Sequence, residues 1–348
     1  MSVTVTVLPS GRQFGVEPGE FVLEAALRQN VTLPYGCKNG ACGSCKARVV
    51  EGMIEQGVHS PTALTPEEVV KGFGLMCCAK AQADLSIEAR LVAGAGDIPI
   101  RKMPCRIASI THPAPDVAVL RLQLPANERL QYLAGQYIEL LLRDGSRRSY
   151  SMATAPHDAQ QLELHVRHMP GGRFTDALFG AVQPAVKEKD ILRFEGPLGT
   201  FFLREDSHKP IVLLASGTGF APIKAIVEHC VQKEIGRGMT LFWGGRRPRD
   251  LYLHGLAEHW ANSIPGFRYV PVVSDALPED QWSGRVGFVH HAVIEDFPSL
   301  AGHQVYACGA PIVVESARRD FTAQCGLPAD EFFADSFTSA ADLADATA

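Results

Sequence analysis

Three domains of different architecture are predicted for this 348-residue chain: a β-grasp unit, a small antiparallel β-barrel, and an α/β unit with a largely parallel sheet. Three observations carry that expectation. Cys37, Cys42 and Cys45 stand in the glycine-containing run PYGCKNGACGSCKARV; short strands at even spacing fill residues 100–205; and after Pro210 the pattern becomes buried strand, glycine turn and helix. A chain of this length exceeds one ordinary core, and 46% hydrophobic with 20% charged residues suits globular domains. A net charge of −5 makes no case for nucleic acid or an acidic membrane surface.

Residues 1–91 open with an alternating strand in MSVTVTVLPSGRQF, turn at Ser10 and Gly11, and continue through a second strand, the helix VLEAALRQN, the cysteine loop, the strand KARVVEG and the closing strand LSIEAR. This is the order of a β-grasp ferredoxin. The spacing C-x4-C-x2-C is the ligand pattern of a plant-type [2Fe-2S] cluster, in which thiolates converge from one tight loop and one distant segment. The distant thiolate comes from LMCCAKAQADL, where Cys77 and Cys78 are adjacent. Leu75 and Asp84 stand two before and seven after Cys77, as in plant-type ferredoxins, so Cys77 is the expected ligand; Ala81 replaces the proline usual there. A zinc site is the competing reading of the cysteines, and the x4 gap without a second C-x2-C argues against it.

Nine cysteines, an odd number with four assigned to iron, fit a reducing cytoplasm better than a disulfide framework. No basic segment followed by an apolar one opens the chain, and no apolar run reaches 18 residues, so neither a signal peptide nor a membrane span is expected.

VAGAGDIP reads as a linker over 92–99. The barrel, 100–205, is expected from PCRIASITH, VAVLRLQL, QYIELLL, RRSYSMA, QLELHVRHM and ILRFEGPLG. Arg148, Tyr150 and Ser151 offer a cation, an aromatic face and a hydroxyl on one strand, which can hold a flavin's pyrophosphate, ring and N5. By itself the tetrapeptide also reads as an ordinary edge strand. HMPGGRFTDALFG places Gly171 and Gly172 before Thr175, read as a helix N-cap beside phosphate.

The α/β unit, 206–338, is expected from IVLLASGTGFAPIKAIVEHCV, MTLFWGG, RYVPVVSD and QVYACGAP. Gly217, Thr218 and Gly219 lie on the turn into a helix, although Pro222 replaces the third glycine of G-x-G-x-x-G, which leaves the fingerprint weak. Cys308 and Gly309 end another strand at the carboxyl edge of the sheet, where ligands bind in open α/β folds; a core cysteine is the bland alternative. Residues 339–348 are small and polar and read as a flexible tail.

Taken in order, C-x4-C-x2-C with Cys77, R-x-Y-S at 148–151, PGG at 170–172, GTGFAP at 217–222 and CGAP at 308–311 resemble, over nearly the whole chain, the ferredoxin-NADP reductase superfamily members that carry an N-terminal ferredoxin. Within it the runs LPYGCKNGACGSCK, GQYIE and WGGR look closest to CDP-6-deoxy-Δ3,4-glucoseen reductase-like proteins, with aromatic-dioxygenase, phenol hydroxylase and methane monooxygenase reductases more distant. The resemblance implies FAD as the flavin. It further implies Arg148 at the pyrophosphate, Tyr150 against the ring, Ser151 facing N5, Val166 and Arg167 lining the ring through their backbone, and Gly171, Gly172 and Thr175 at phosphate. Gly217, Thr218, Gly219, Cys308 and Gly309 would frame the nicotinamide and its pyrophosphate, with Ser151 and Cys308 nearest the hydride.

The function expected is an NADH-dependent FAD/[2Fe-2S] reductase, a cytoplasmic monomer that passes electrons singly to a separate protein, either a dehydrase or an oxygenase component. Asp275 in VVSDALPED disfavours a 2′-phosphate and favours NADH, against Arg246, Arg247 and Arg249 nearby. A non-enzymatic ferredoxin carrier or redox sensor is the reading from another class, and the intact RSYS and GTGFAP runs weigh against it. The oxygenase itself is excluded, because the chain has no C-x-H pair of a Rieske centre, and its E-x-x-H run at Glu205 to His208 lacks the second such motif that a di-iron site needs.

Overall fold

The computed structural model describes residues 2–158 and 160–337; the tail expected over 339–348 lies outside the described residues, as does residue 338. Among the described residues the chain separates into two compact units, one of residues 2–99 with 335–337 and one of residues 100–334.

The first unit begins with β1 (Val3–Leu8) and β2 (Arg12–Val16), an antiparallel pair in which alternation sends Val5 and Val7 into the core. Helix α1 (Val22–Arg28) buries Val22, Leu23, Ala25 and Ala26. There follow β3 (Lys46–Glu51), β4 (Ile54–Gln56), α2 (Pro66–Val70), β5 (Phe73–Leu75), β6 (Ala79–Ala81) and β7 (Leu85–Glu88). The sheet order is β2-β1-β7-β3-β5, with β7 parallel to β1, while β4 and β6 form a separate pair. Helix α2 was not anticipated, although its signal is in the sequence: Thr65 accepts from the Glu68 amide, Glu68 accepts from the Thr65 amide, and Pro66 takes the first helical position.

The second unit holds both remaining sheets except the last two residues of the final strand. The first comprises β8 (Arg101–Ala114), β9 (Val117–Gln123), β10 (Tyr137–Leu141), β11 (Arg147–Ser151), β12 (Gln161–Arg167) and β13 (Ile191–Leu198), with α3 (Arg173–Leu178) between β12 and β13. Their order is β11-β10-β13-β8-β9-β12, antiparallel throughout, and a bridge from Met152 to Leu164 brings the two edge strands together into a barrel.

The second sheet follows β14 (Ile211–Ser216), α4 (Phe220–Gln232), β15 (Met239–Gly245), α5 (His254–Ser263), β16 (Phe267–Val273), β17 (Arg285–Val286), α6 (Val289–Asp296), β18 (Gln304–Gly309), α7 (Pro311–Gln324) and β19 (Phe332–Ser336). The order is β17-β16-β15-β14-β18-β19, and the four central strands are parallel. Their near-continuous burial reflects helices on both faces of a parallel sheet. The turn between β14 and α4 therefore emerges at the carboxyl edge beside the end of β18.

Candidate functional site

The cysteine loop runs into β3, so Cys45 stands one residue before the strand, and Cys77 lies in the turn between β5 and β6. The Met76 amide donates to the Cys45 carbonyl at 3.1 Å, joining the two segments. Within the loop the Cys37 amide donates to Cys42 Sγ and the Cys42 amide to Cys37 Sγ, each at 3.3 Å. The thiols share protons unequally. A hydrogen bond from Cys37 holds the Cys42 thiol down to about 6, and one from Cys45, then one from Cys78, holds Cys77 down to about 4; Cys37 and Cys45 are pushed up by the same hydrogen bonds and by burial. Three loop cysteines and one from a distant turn form a largely buried all-sulfur donor set, which an iron–sulfur core fits. Cys78 Sγ lies 4.0 Å from Cys77 Sγ and accepts from Gln56 Nε2 at 3.1 Å, while Gln56 Oε1 accepts from the Leu75 amide.

On the barrel, Arg148 and Tyr150 alternate with Ser149 along β11 and so share one face. The Tyr150 ring packs 5.7 Å from Phe174, and burial pushes its hydroxyl pKa up. Ser151 Oγ is buried without a hydrogen-bond partner among the described residues. An orphaned hydroxyl costs stability unless a ligand satisfies it, so Ser151 fits a bound flavin.

Val166 is fully buried on β12, and the next residue does more than lend its backbone. The Arg167 guanidinium reaches Gly217, stands 3.3 Å from Asp116 and 3.8 Å from Asp250, and its buried Nε and Nη2 make no hydrogen bond among the described residues. Here the structure adds a side chain spanning from the barrel to the nucleotide turn.

Thr175 is not the N-cap of α3. The cap is Gly172, whose carbonyl accepts from the Asp176 amide at 2.7 Å, and Thr175 sits inside the first turn. Its hydroxyl donates to the Met169 carbonyl at 2.8 Å and so clamps the PGG turn. The helix starts earlier because glycine adopts the extended cap conformation as readily as threonine. The Gly171 amide donates to the Asp176 carboxylate at 3.1 Å.

At the nucleotide turn, Gly217, Thr218 and Gly219 form one 3-10 turn leading into α4, whose first turn accommodates Pro222 without losing a helical hydrogen bond. A Cβ at Gly219 would collide with the Cys308 carbonyl, and one at Gly309, whose φ is +138°, with the Ser216 carbonyl. Two glycines thus allow the ends of β14 and β18 to touch, bringing Cys308 beside the turn. Trp243 Nε1 donates to the Gly217 carbonyl at 3.1 Å, and the indole stacks on Phe220 at 3.9 Å. Asp275, beyond β16, is exposed, and its amide donates to the Arg246 carbonyl. Arg247 is held by Asp280 at 2.6 and 2.8 Å.

One buried network has no counterpart in the sequence reading. His165 on β12 contacts Glu163 and the Tyr252 hydroxyl, and Lys224 on α4 contacts Glu163, Glu228 and the Ala153 carbonyl. Glu163, His165, Lys224 and Tyr252 come from segments up to 89 residues apart in number, so no local spacing marks them.

Three domain models match the chain: the 2Fe-2S iron-sulfur cluster binding domain over residues 5–82, the oxidoreductase FAD-binding domain over 104–203, and the oxidoreductase NAD-binding domain over 213–319. The chain is 42% identical over 337 residues to a CDP-6-deoxy-L-threo-D-glycero-4-hexulose-3-dehydrase reductase of Yersinia pseudotuberculosis, covering 97% of this chain and 99% of that one. It is 36% identical over 343 residues to a reductase component of terephthalate 1,2-dioxygenase from Comamonas, covering 97% and 98%. Among solved structures, an Amycolatopsis cytochrome P450 reductase superposes with a TM-score of 0.75 at 34% identity, covering 97% and 99%.

Proposed function

The chain belongs to the ferredoxin reductases that join a 2Fe-2S domain to FAD- and NAD-binding domains, and on that premise we propose that it serves a dehydrase of deoxysugar synthesis with electrons taken from NADH. It is an NAD(P)H-dependent iron–sulfur flavoprotein oxidoreductase. FAD held by Arg148, Tyr150 and Ser151 would supply hydride acceptance and one-electron release, and a [2Fe-2S] cluster held by the four cysteines would supply the one-electron exit.

The observation that carries the proposal for the site is the meeting of Arg167 with Gly217 and of Gly219 with Cys308, together with the buried Ser151 hydroxyl that has no partner among the described residues. In this reading Arg148 pairs with the pyrophosphate, Tyr150 covers the ring, Ser151 donates to N5, and Val166 with Arg167 closes the side facing the nucleotide turn. Gly171, Gly172 and Thr175 shape the phosphate end; Thr175 does so by fixing the PGG turn. Gly217, Thr218, Gly219 and Gly309 leave room for the dinucleotide backbone, and Cys308 orients the nicotinamide without acting as a base. Asp275 accepts a hydrogen bond from a ribose hydroxyl and repels a 2′-phosphate, with Arg247 withdrawn into its Asp280 pair. Cys37, Cys42, Cys45 and Cys77 hold the cluster.

The dehydrase partner is favoured by the 42% identity to a dehydrase reductase over nearly the full length of both chains. The second reading, an oxygenase partner, rests on the 36% identity to the terephthalate dioxygenase component. We place the protein in the cytoplasm as a monomer, with no nucleic-acid or membrane partner; among the described residues no helix is long and apolar enough to cross a membrane. Cleavage within 92–99 tests the route. The C-terminal fragment should reduce ferricyanide with NADH and lose cytochrome c reduction; full cytochrome c activity in the fragment contradicts exit through the cluster.

A further inference from the structure

Away from the residues assigned to FAD and NADH, two helices bring three metal-binding side chains together. Helix α6 supplies His290 and His291 in succession and α7 supplies Asp320, with one ligand atom of each within 4.8 Å of the others. His290 and Asp320 are 8% and 7% exposed, whereas His291 is open to solvent. His290 Nε2 and Asp320 Oδ2 stand 3.5 Å apart, too far for a sound hydrogen bond. Two ligand atoms of a tetrahedral Zn2+, each at roughly 2.0–2.2 Å from the ion, stand about 3.4 Å from one another. The 3.5 Å separation is compatible with one bound ion.

The two imidazoles lie 4.2 Å apart between centroids and are tilted by 58°, so the two rings stay close although consecutive helix positions diverge. Arg319 occupies Asp320 at 2.8 and 3.2 Å, but its side chain is 71% exposed and can turn out into solvent. Beneath the three groups α6 and α7 share a packed core through Ala292, Val293, Ala317 and Phe321. That core holds the helices at a fixed separation, so the ligands need not be gathered by the ion.

We infer that His290, His291 and Asp320 form a binding site for one divalent transition-metal ion of the zinc class, with a fourth position left to water. Two imidazoles and a carboxylate suit zinc better than calcium or magnesium, which prefer all-oxygen sites. A bound ion clips α6 to α7 and stabilises the folded chain by mass action.

Tag-free, full-length holoprotein, passed over a chelating resin and titrated with ZnCl2 by calorimetry, tests the site, with zinc and iron then measured per chain. The expected result is one zinc at micromolar affinity in addition to the cluster iron. His291→Ala, a change at an exposed position, and Asp320→Asn should each weaken binding about tenfold or more with flavin content unchanged. A wild-type chain that takes up no zinc overturns the proposal, as does equal affinity in the wild type and both variants.

Discussion

Tyr252 Oη lies 2.7 Å from His165 Nδ1, a buried contact between the nucleotide region and a barrel strand of the same compact unit. Glu163 faces the other ring nitrogen at 3.0 Å, so a neutral imidazole donates from Nε2 to the carboxylate and accepts at Nδ1 from tyrosine. Lys224 completes the bridge by reaching Glu163 at 3.2 Å and the Ala153 carbonyl at 3.1 Å, two residues beyond Ser151. The strand proposed to face flavin N5 is thereby tied to the helix that follows the nucleotide turn.

Tyr252→Phe leaves a buried imidazole nitrogen without a donor, which should cost about 1–3 kcal/mol of stability. Urea unfolding of the FAD-loaded protein checks this. A turnover loss with ferricyanide should accompany it, because the bridge positions the hydride partners.

The same network sets a pH dependence. Burial holds the His165 pKa below its ordinary 6.5, so the unfolded chain binds a proton that the folded one refuses, and stability falls as pH drops below 6.5. Glu163 is pushed up by burial, but the hydrogen bond from His165 and the charge of Lys224 outweigh this and hold it down to about 2. Its share is present above its ordinary 4.5 and is lost between there and about 2. Unfolding free energy measured from pH 7 to 3 should therefore decline in two stages, and Glu163→Gln should flatten the second.

Cys77→Ser should abolish the [2Fe-2S] signal, whereas Cys78→Ser should leave it nearly intact, because Cys77 shares hydrogen bonds with Cys45 while Cys78 is engaged by Gln56. Iron content and EPR of the reduced variants decide between them. A full cluster in Cys77→Ser with loss in Cys78→Ser would reverse the assignment.

For the nucleotide, kcat/KM should be higher with NADH than with NADPH, and Asp275→Arg should move the ratio toward NADPH by roughly tenfold or more. Arg247, paired with Asp280, should contribute little, so Arg247→Ala should leave the ratio near its wild-type value.

Residues 1–91 carry eight basic against nine acidic side chains, too balanced for strong charge steering. Electron transfer to the partner should consequently depend weakly on salt, and stopped-flow rates between low and physiological ionic strength test this.

Strands were legible where alternation marks one buried face, as in VTVTVL, and the glycine turns were legible because few other residues tolerate their geometry. Helix α2 has a readable T-x-x-E start, but none of its five residues is buried, so no apolar periodicity marks it. The Thr175 position misled because threonine is a good cap in isolation, yet here its hydroxyl is used by Met169. The Glu163–His165–Tyr252 contact was not legible at all, since it depends on which strand and loop pack together rather than on any spacing.

Electrons should enter as hydride at FAD and leave singly through the cluster. Anaerobic mixing with NADH, followed by flavin absorbance and freeze-quench EPR, tests it most directly. Flavin bleaching should come first and the reduced [2Fe-2S] signal second, with bleaching unchanged and the signal absent in Cys77→Ser. A wild-type cluster that stays oxidised after the flavin bleaches, or that is reduced while the flavin stays oxidised, would contradict the account.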